Sequence, residues 1–167
     1  MTRVVATCPT MALPGPGSAS PVAKSPNNRR RRFPFVLFHD NCAKATTFYQ
    51  SCLGGELTIT TVGDASMKAQ VPPEKHHTVA HAHLKSGAVE FSATDWQHLT
   101  RTPKQGNTVA MYINDGTYDQ LSQIFGKLSE GVDEGLLDPL QDVPFGTYGH
   151  LADKYGVHWF FQGEKSS

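Results

Sequence analysis

A plan of strand, helix and three further strands occurs twice along this chain, and the doubling restricts the fold more than any single residue does. In the first copy, "FPFVLFH" is a short apolar run bounded by Asp40 and Asn41, the pattern of a buried strand leading into a helix N-cap. The helix that follows sets Ala45, Phe48, Tyr49, Cys52 and Leu53 at the spacing of one apolar face, and Gly54 with Gly55 stops it. "ELTITTVG" has the β-branched alternation of a strand, and "HTVAHAHL" and "AVEFSATD" read as two more, joined through Lys85, Ser86 and Gly87. In the second copy, "NTVAMYIN" opens as a strand. "GTYDQLSQIFGKLSEG" then forms an amphipathic helix with Leu121, Ile124, Phe125 and Leu128 on one face. Thr117 and Gln120 have the spacing of a capping box, and Gly131 closes the helix. Fainter strands around "LLDPLQDV" and "TYGHLAD" lead to a strong one, "VHWFFQ". A repeat of this kind predicts an α+β domain whose two sheets enclose a shared cup.

The 167 residues suffice for one such core and are too few for two ordinary domains. Residues 1–32 stand apart: "LPGPGSASPVAKSPNN" is rich in Pro, Gly and Ser, no acidic residue precedes Asp40, and "RRRR" ends the segment. A stretch of this composition cannot bury enough apolar surface to order itself, so a disordered basic tail is expected ahead of a domain over 33–163, with 164–167 as a short C-terminal tail. Fifteen Lys and Arg balance fifteen Asp and Glu, which leaves no overall field toward nucleic acid or an anionic membrane. The three cysteines, Cys8, Cys42 and Cys52, have neither the count nor the spacing of a disulfide framework or a zinc knuckle. No apolar run reaches the roughly 18 residues of a membrane helix. A cytoplasmic protein is expected, with organelle import through the acid-poor tail as the alternative.

The segments "FHDNCAKATTFYQSCLGGELT", "VAHAHLKSGAVEFSATD", "GNTVAMYIN", "LSEG", "PLQDVPFGTYG" and "LADKYGVHWFFQ" follow one another as in a known family. Over residues 33–163 the chain resembles the PhnB-like branch of the vicinal oxygen chelate superfamily, which also holds glyoxalase I, extradiol dioxygenases and the bleomycin- and fosfomycin-resistance proteins. The resemblance implies paired βαβββ modules forming a cup-shaped half-barrel sheet, and a homodimer. Proteins of this branch often carry a methyltransferase label. Nothing in the sequence resembles the Gly-rich loop after a strand that would hold S-adenosylmethionine, so that activity is not carried over.

The superfamily's divalent metal is held by side chains on cup-facing strands and acts there as a Lewis acid. Aligning on "TTFYQSCLGG" puts the first ligand position at Pro34, which has no side-chain donor. The other positions fall at about Thr108, Phe160 and Glu90, and only Glu90 has a suitable donor. No metal is expected at the family positions, and no cofactor is assigned. The period-2 rule offers a second arrangement: Val79, His81 and His83 share one face of "HTVAHAHL", with Ala80, Ala82 and Leu84 on the other. A two-residue turn at Ser86-Gly87 would place His83 opposite Glu90 and His81 opposite Ser92. Two imidazoles and a carboxylate together can bind zinc or iron, or can hold a base; the plainer reading is a polar cross-strand pair worth about 0.2–1 kcal/mol.

His158 shares a face with Phe160, and Tyr112 shares one with Thr108, so these four also become cup candidates beside His81, His83, Glu90 and Ser92. Trp159 faces the core, His76 and His77 face solvent, and Cys42, in a first helical turn where the dipole can lower a thiol pKa, is a small buried hydrophobe with no partner in sequence reach. The sequence thus supports a protein that binds a small molecule in its cup over a degenerate metal site. Two alternatives stay open: a metal-dependent lyase, isomerase or dioxygenase using His81, His83 and Glu90, and an interaction protein acting through its basic tail.

Overall fold

The computed structural model describes residues 32–166 apart from Met67 and Leu99. The expectations for the N-terminal tail therefore lie, except for Arg32, outside the described residues. The first module runs β1 (Phe35–Phe38), α1 (Cys42–Leu53), β2 (Glu56–Thr61), β3 (Val79–Lys85) and β4 (Glu90–Asp95). The second repeats it as β5 (Met111–Asn114), α2 (Tyr118–Leu128), β6 (Leu137–Val143), β7 (Gly146–Ala152) and β8 (His158–Gly163). Each module makes one four-stranded sheet, in the orders β1-β4-β3-β2 and β5-β8-β7-β6, with the first-named pair parallel and the rest antiparallel. The sheets are not closed into a barrel. No helix among the described residues is long and apolar enough to cross a membrane.

One apolar cluster serves both modules. From the first come Phe38, Ala45, Tyr49, Leu84 and Phe91, and from the second Ile113, Leu121, Leu128, Trp159 and Phe161. Tyr49 is the joint between them: its ring meets Phe91 of its own module at 5.8 Å and Trp159 of the other at 5.4 Å, both edge-on. Aromatic pairs favour this geometry, because the positive ring edge meets the negative face. Alternate residues on each strand point away from the cluster. That leaves each sheet with a second, open face.

Helix α2 forms as its sequence requires: Thr117 Oγ1 accepts from the Gln120 amide, the Gln120 side chain returns to the Thr117 amide, and Leu121, Phe125 and Leu128 are buried. Helix α1 departs from expectation at its start. Asn41 occupies the N-cap position without a side-chain cap, and its Oδ1 is buried with no hydrogen-bond partner among the described residues. The cap comes instead from β4, 53 residues onward, where Asp95 Oδ1 accepts from the Cys42 amide at 2.9 Å. The other oxygen of Asp95 accepts from the Val79 amide at 2.8 Å, so one buried carboxylate ties α1, β3 and β4 together. A carboxylate bonded to helix-start amides is doubly favoured, by charge-assisted hydrogen bonds and by the helix dipole.

Two further corrections concern β3. The turn is not Ser86-Gly87 alone but the four residues 86–89, because the Ser86 hydroxyl accepts from the Ala88 and Val89 amides and holds a wider loop. Lys85 therefore pairs with Glu90, and His83 lies opposite Ser92 rather than Glu90. The slip is two residues, so the side chains keep their faces. Val79, by contrast, does change face. A register shift opposite Thr60 and Thr61 inserts a residue, and Val79 turns into the core at 1 % exposure.

Candidate functional site

The open face of the first sheet carries the expected constellation in an altered arrangement. Register puts Phe35 beside Ser92 and Ser92 beside His83, so all three share this face. His83 Nδ1 bonds Ser92 Oγ at 3.0 Å, and its Nε2 lies 3.4 Å from Glu90 Oε1. His81 stacks parallel to His83 with ring centroids 6.4 Å apart. Phe33 and Phe35 close over the two imidazoles at 5.1 and 6.3 Å. His81, His83, Glu90 and Ser92 are thus brought together, as expected, with both nitrogens of His83 already engaged.

The second sheet's open face holds His158 and Phe160, again as expected, and two residues the sequence reading passed over. His150 on β7 stands between them: its Nε2 is 3.0 Å from His158 Nδ1, and its Nδ1 is 3.3 Å from Asp138 Oδ2 on β6. Phe160 lies against the His150 ring at 4.5 Å. Burial first, then the neighbouring His150, holds the His158 imidazolium below the ordinary value of 6.5. The signal for His150 was present in "TYGHLAD", where period 2 puts His150 on the face of Tyr148. What "LDPLQDV" hid was its own register, since a shift between Asp138 and Gln141 follows Pro139, which has no amide hydrogen for the ladder.

Thr108 departs from expectation. The strand of "NTVAMYIN" begins only at Met111, so Thr108 is an exposed loop residue and shares no strand face with Tyr112. Tyr112 is half exposed and donates to Gln162 Oε1 at 2.5 Å. Trp159 is fully buried, as expected, and its Nε1 donates to Asp153 Oδ2 at 2.7 Å. His76 is not free in solvent: its Nε2 meets the Val71 carbonyl at 2.9 Å. Cys42 has a neighbour the sequence did not reveal. Burial, and then the charge of Asp95, pushes its thiol up to about 12, which is the opposite of an activated nucleophile.

Of the four positions at which the superfamily holds its metal, only Glu90 has a suitable donor side chain, and its Oε1 lies 3.4 Å from His83 Nε2. Pro34 has no side-chain donor, Thr108 lies off its strand, and Phe160 packs its ring on His150. Among the described residues, no three His, Cys, Asp or Glu side chains are grouped to hold a metal, and His81, His83 and Glu90 are not such a group.

Where the edge strands β1 and β5 face one another the surface opens into a cleft of about 290 Å³. Phe35 and Leu37 line one wall, Val109 and Met111 the other, and Lys104, Gln105 and His158 add polar side chains. A second recess of about 370 Å³ is lined by Asn107, Leu137, Asp138, His150 and Phe160, and again by His158. His158 is therefore common to both. His81, His83, Glu90, Ser92 and Tyr112 line neither.

A family model described as 3-demethylubiquinone-9 3-methyltransferase matches residues 30–162. Among solved structures, the chain is similar to protein PA1353 from Pseudomonas aeruginosa, at 24 % identity over 80 % of this chain and 96 % of that one, with a TM-score of 0.68. It is similar to a putative 3-demethylubiquinone-9 3-methyltransferase, PhnB protein, from Bacillus cereus, at 24 % identity, 80 % and 99 % coverage and a TM-score of 0.62. The fosfomycin resistance protein FosX of Listeria monocytogenes shares the fold at 9 % identity, 81 % and 93 % coverage and a TM-score of 0.53. No curated protein matches the chain.

Proposed function

The chain belongs to the 3-demethylubiquinone-9 3-methyltransferase family, the PhnB-like branch of the vicinal oxygen chelate superfamily, and from that premise we propose that it binds a small molecule without the superfamily's metal. The ligand's body is apolar and sits in the cleft between β1 and β5. The observation that carries this reading is the lining of that cleft: aliphatic and aromatic side chains converge there with a few polar ones, Lys104, Gln105 and His158, the usual composition of a small-molecule site. The methyl transfer in the family's description is not part of the proposal.

A screen of aromatic and apolar compounds by thermal shift tests it, because a ligand that binds only the folded chain raises its melting temperature. Leu37→Arg, on the cleft wall and 37 % exposed, should leave the unliganded melting temperature within about 2 °C and abolish the shift. Hits that survive in this variant would place the ligand elsewhere. We also propose that the protein is cytoplasmic and that a second copy covers the open faces, supported by the exposed Phe35 and Tyr112 on them. A monomer in sedimentation velocity at tens of micromolar would remove the second part.

A further inference from the structure

The geometry points to a proton-accepting site at His158: we infer that the cleft takes ligands with a weakly acidic hydroxyl, a phenol or an enol, and that His158 Nε2 receives their proton. The inference deepens the binding reading above and rests on it. Three observations carry it. First, Asp138, His150 and His158 form a single chain of hydrogen bonds across β6, β7 and β8, at 3.3 and 3.0 Å. Second, the chain has a direction. A carboxylate only accepts, so His150 carries its hydrogen on Nδ1 and accepts with Nε2. With His150 neutral, His158 donates from Nδ1 and keeps its lone pair on Nε2. Third, His158 lines the apolar cleft as well as the recess that holds His150 and Asp138, so the relay ends where a ligand would sit.

The step balances without a further reactant. The ligand's O–H bond breaks with the electron pair left on oxygen, and an N–H bond forms on His158 Nε2. Net charge is unchanged and nothing is oxidised. Burial, and then the neighbouring His150, favours the neutral, proton-accepting form of His158. The bound oxyanion supplies the opposite charge that burial withholds, and His150 passes part of the positive charge toward Asp138. The titratable groups around His158 are His150 and Asp153 from β7 and its end, Asp138 from β6, and Lys104 on the cleft wall. Asp138 is 69 % exposed, so its share is small.

The full chain with 4-nitrophenol, whose ionisation is coloured, and 4-nitroanisole, which lacks the hydroxyl, tests the site. The expected result is that the nitrophenol binds and its ionisation midpoint falls by about one pH unit on the protein. His158→Gln should restore the free-ligand midpoint and weaken binding of the ionised nitrophenol by about tenfold. Asp138→Asn should restore less than half of it, and Lys104→Met should leave most of the shift. Two compounds binding alike, with the nitrophenol midpoint unmoved in the wild-type chain, would overturn the inference and leave the cleft reading standing. Neither compound binding would overturn both. A midpoint shift lost in Lys104→Met and kept in His158→Gln would assign the effect to the lysine and also overturn it. Circular dichroism on each variant separates misfolding from loss of the relay, and the two-compound comparison needs no variant.

Discussion

Asp95 offers the sharpest test of how this fold is held. Its carboxylate is 3 % exposed and is the shared acceptor for two buried amides, of Cys42 and Val79. Replacing it with alanine leaves both N–H groups without a partner, at about 1–3 kcal/mol each, and so about 2–6 kcal/mol together. With a urea slope of about 2 kcal/mol/M, the midpoint should fall by about 1–3 M at unchanged slope. Asp95→Asn keeps the shape but has one acceptor oxygen, so one amide faces an NH2 group and about half of the loss should remain. Asn41→Ala is the informative companion. An N-cap asparagine is worth about 1 kcal/mol, yet Asn41 makes no cap bond and its removal should cost less than about 0.5 kcal/mol. Equilibrium urea unfolding followed by circular dichroism reads all three. If Asp95→Ala stayed within about 1 kcal/mol of wild type, or Asn41→Ala matched Asp95→Asn, capping by Asp95 across the fold would be wrong.

Three further outcomes are expected. Gly55 has φ of +89° and a Cβ there would run into the Lys85 carbonyl oxygen, so Gly55→Ala should destabilise by more than about 2 kcal/mol, while Gly87→Ala, in open space, should stay within about 0.5 kcal/mol in the same urea assay. In a Cys8→Ser background, Cys42 and Cys52 should react with a thiol reagent at pH 8 at least about 100-fold faster in urea than when folded, since burial raises both thiols; equal rates would contradict their burial. The folded-state pKa of His158 is depressed, so the unfolded chain takes up its proton first. The stability tied to that group is complete above the ordinary 6.5 and is lost as pH falls through the folded value. His158→Gln should therefore show a shallower loss of stability between about pH 7 and 5, and identical slopes would refute the assignment.

What could be read from the sequence was whatever depends on local period and composition. The two helices, the buried Trp159 and the pairing of His158 with Phe160 on one face all follow from spacing along a single element. The misreadings at Asn41 and at His150 come from contact between elements far apart in the chain, and the others from local turns, bulges and strand ends. Nothing near Asn41 announces that Asp95 will cap its helix. The hydroxyl of Ser86 widens the loop by two residues and moves Glu90 off the position opposite His83, and one extra residue beside Thr61 turns Val79 inward. His150 and Asp138 were missed because their meeting with His158 depends on the register of β6 and β7, which Pro139 disturbs. Thr108 is a simpler case, because β5 begins three residues after it, at Met111.

The placing of Tyr49 between Phe91 and Trp159 bears on how the two halves relate as folding units. A chain cut within residues 97–109 would separate two tandem copies of one plan, and duplication would suggest that each could stand alone. The first half would then expose the ring of Tyr49, and the second the indole of Trp159, each having lost the surface that buries it. The halves should consequently be unfolded apart and regain order only on mixing, and the intact chain should unfold in one transition, its repeated architecture being a single cooperative unit.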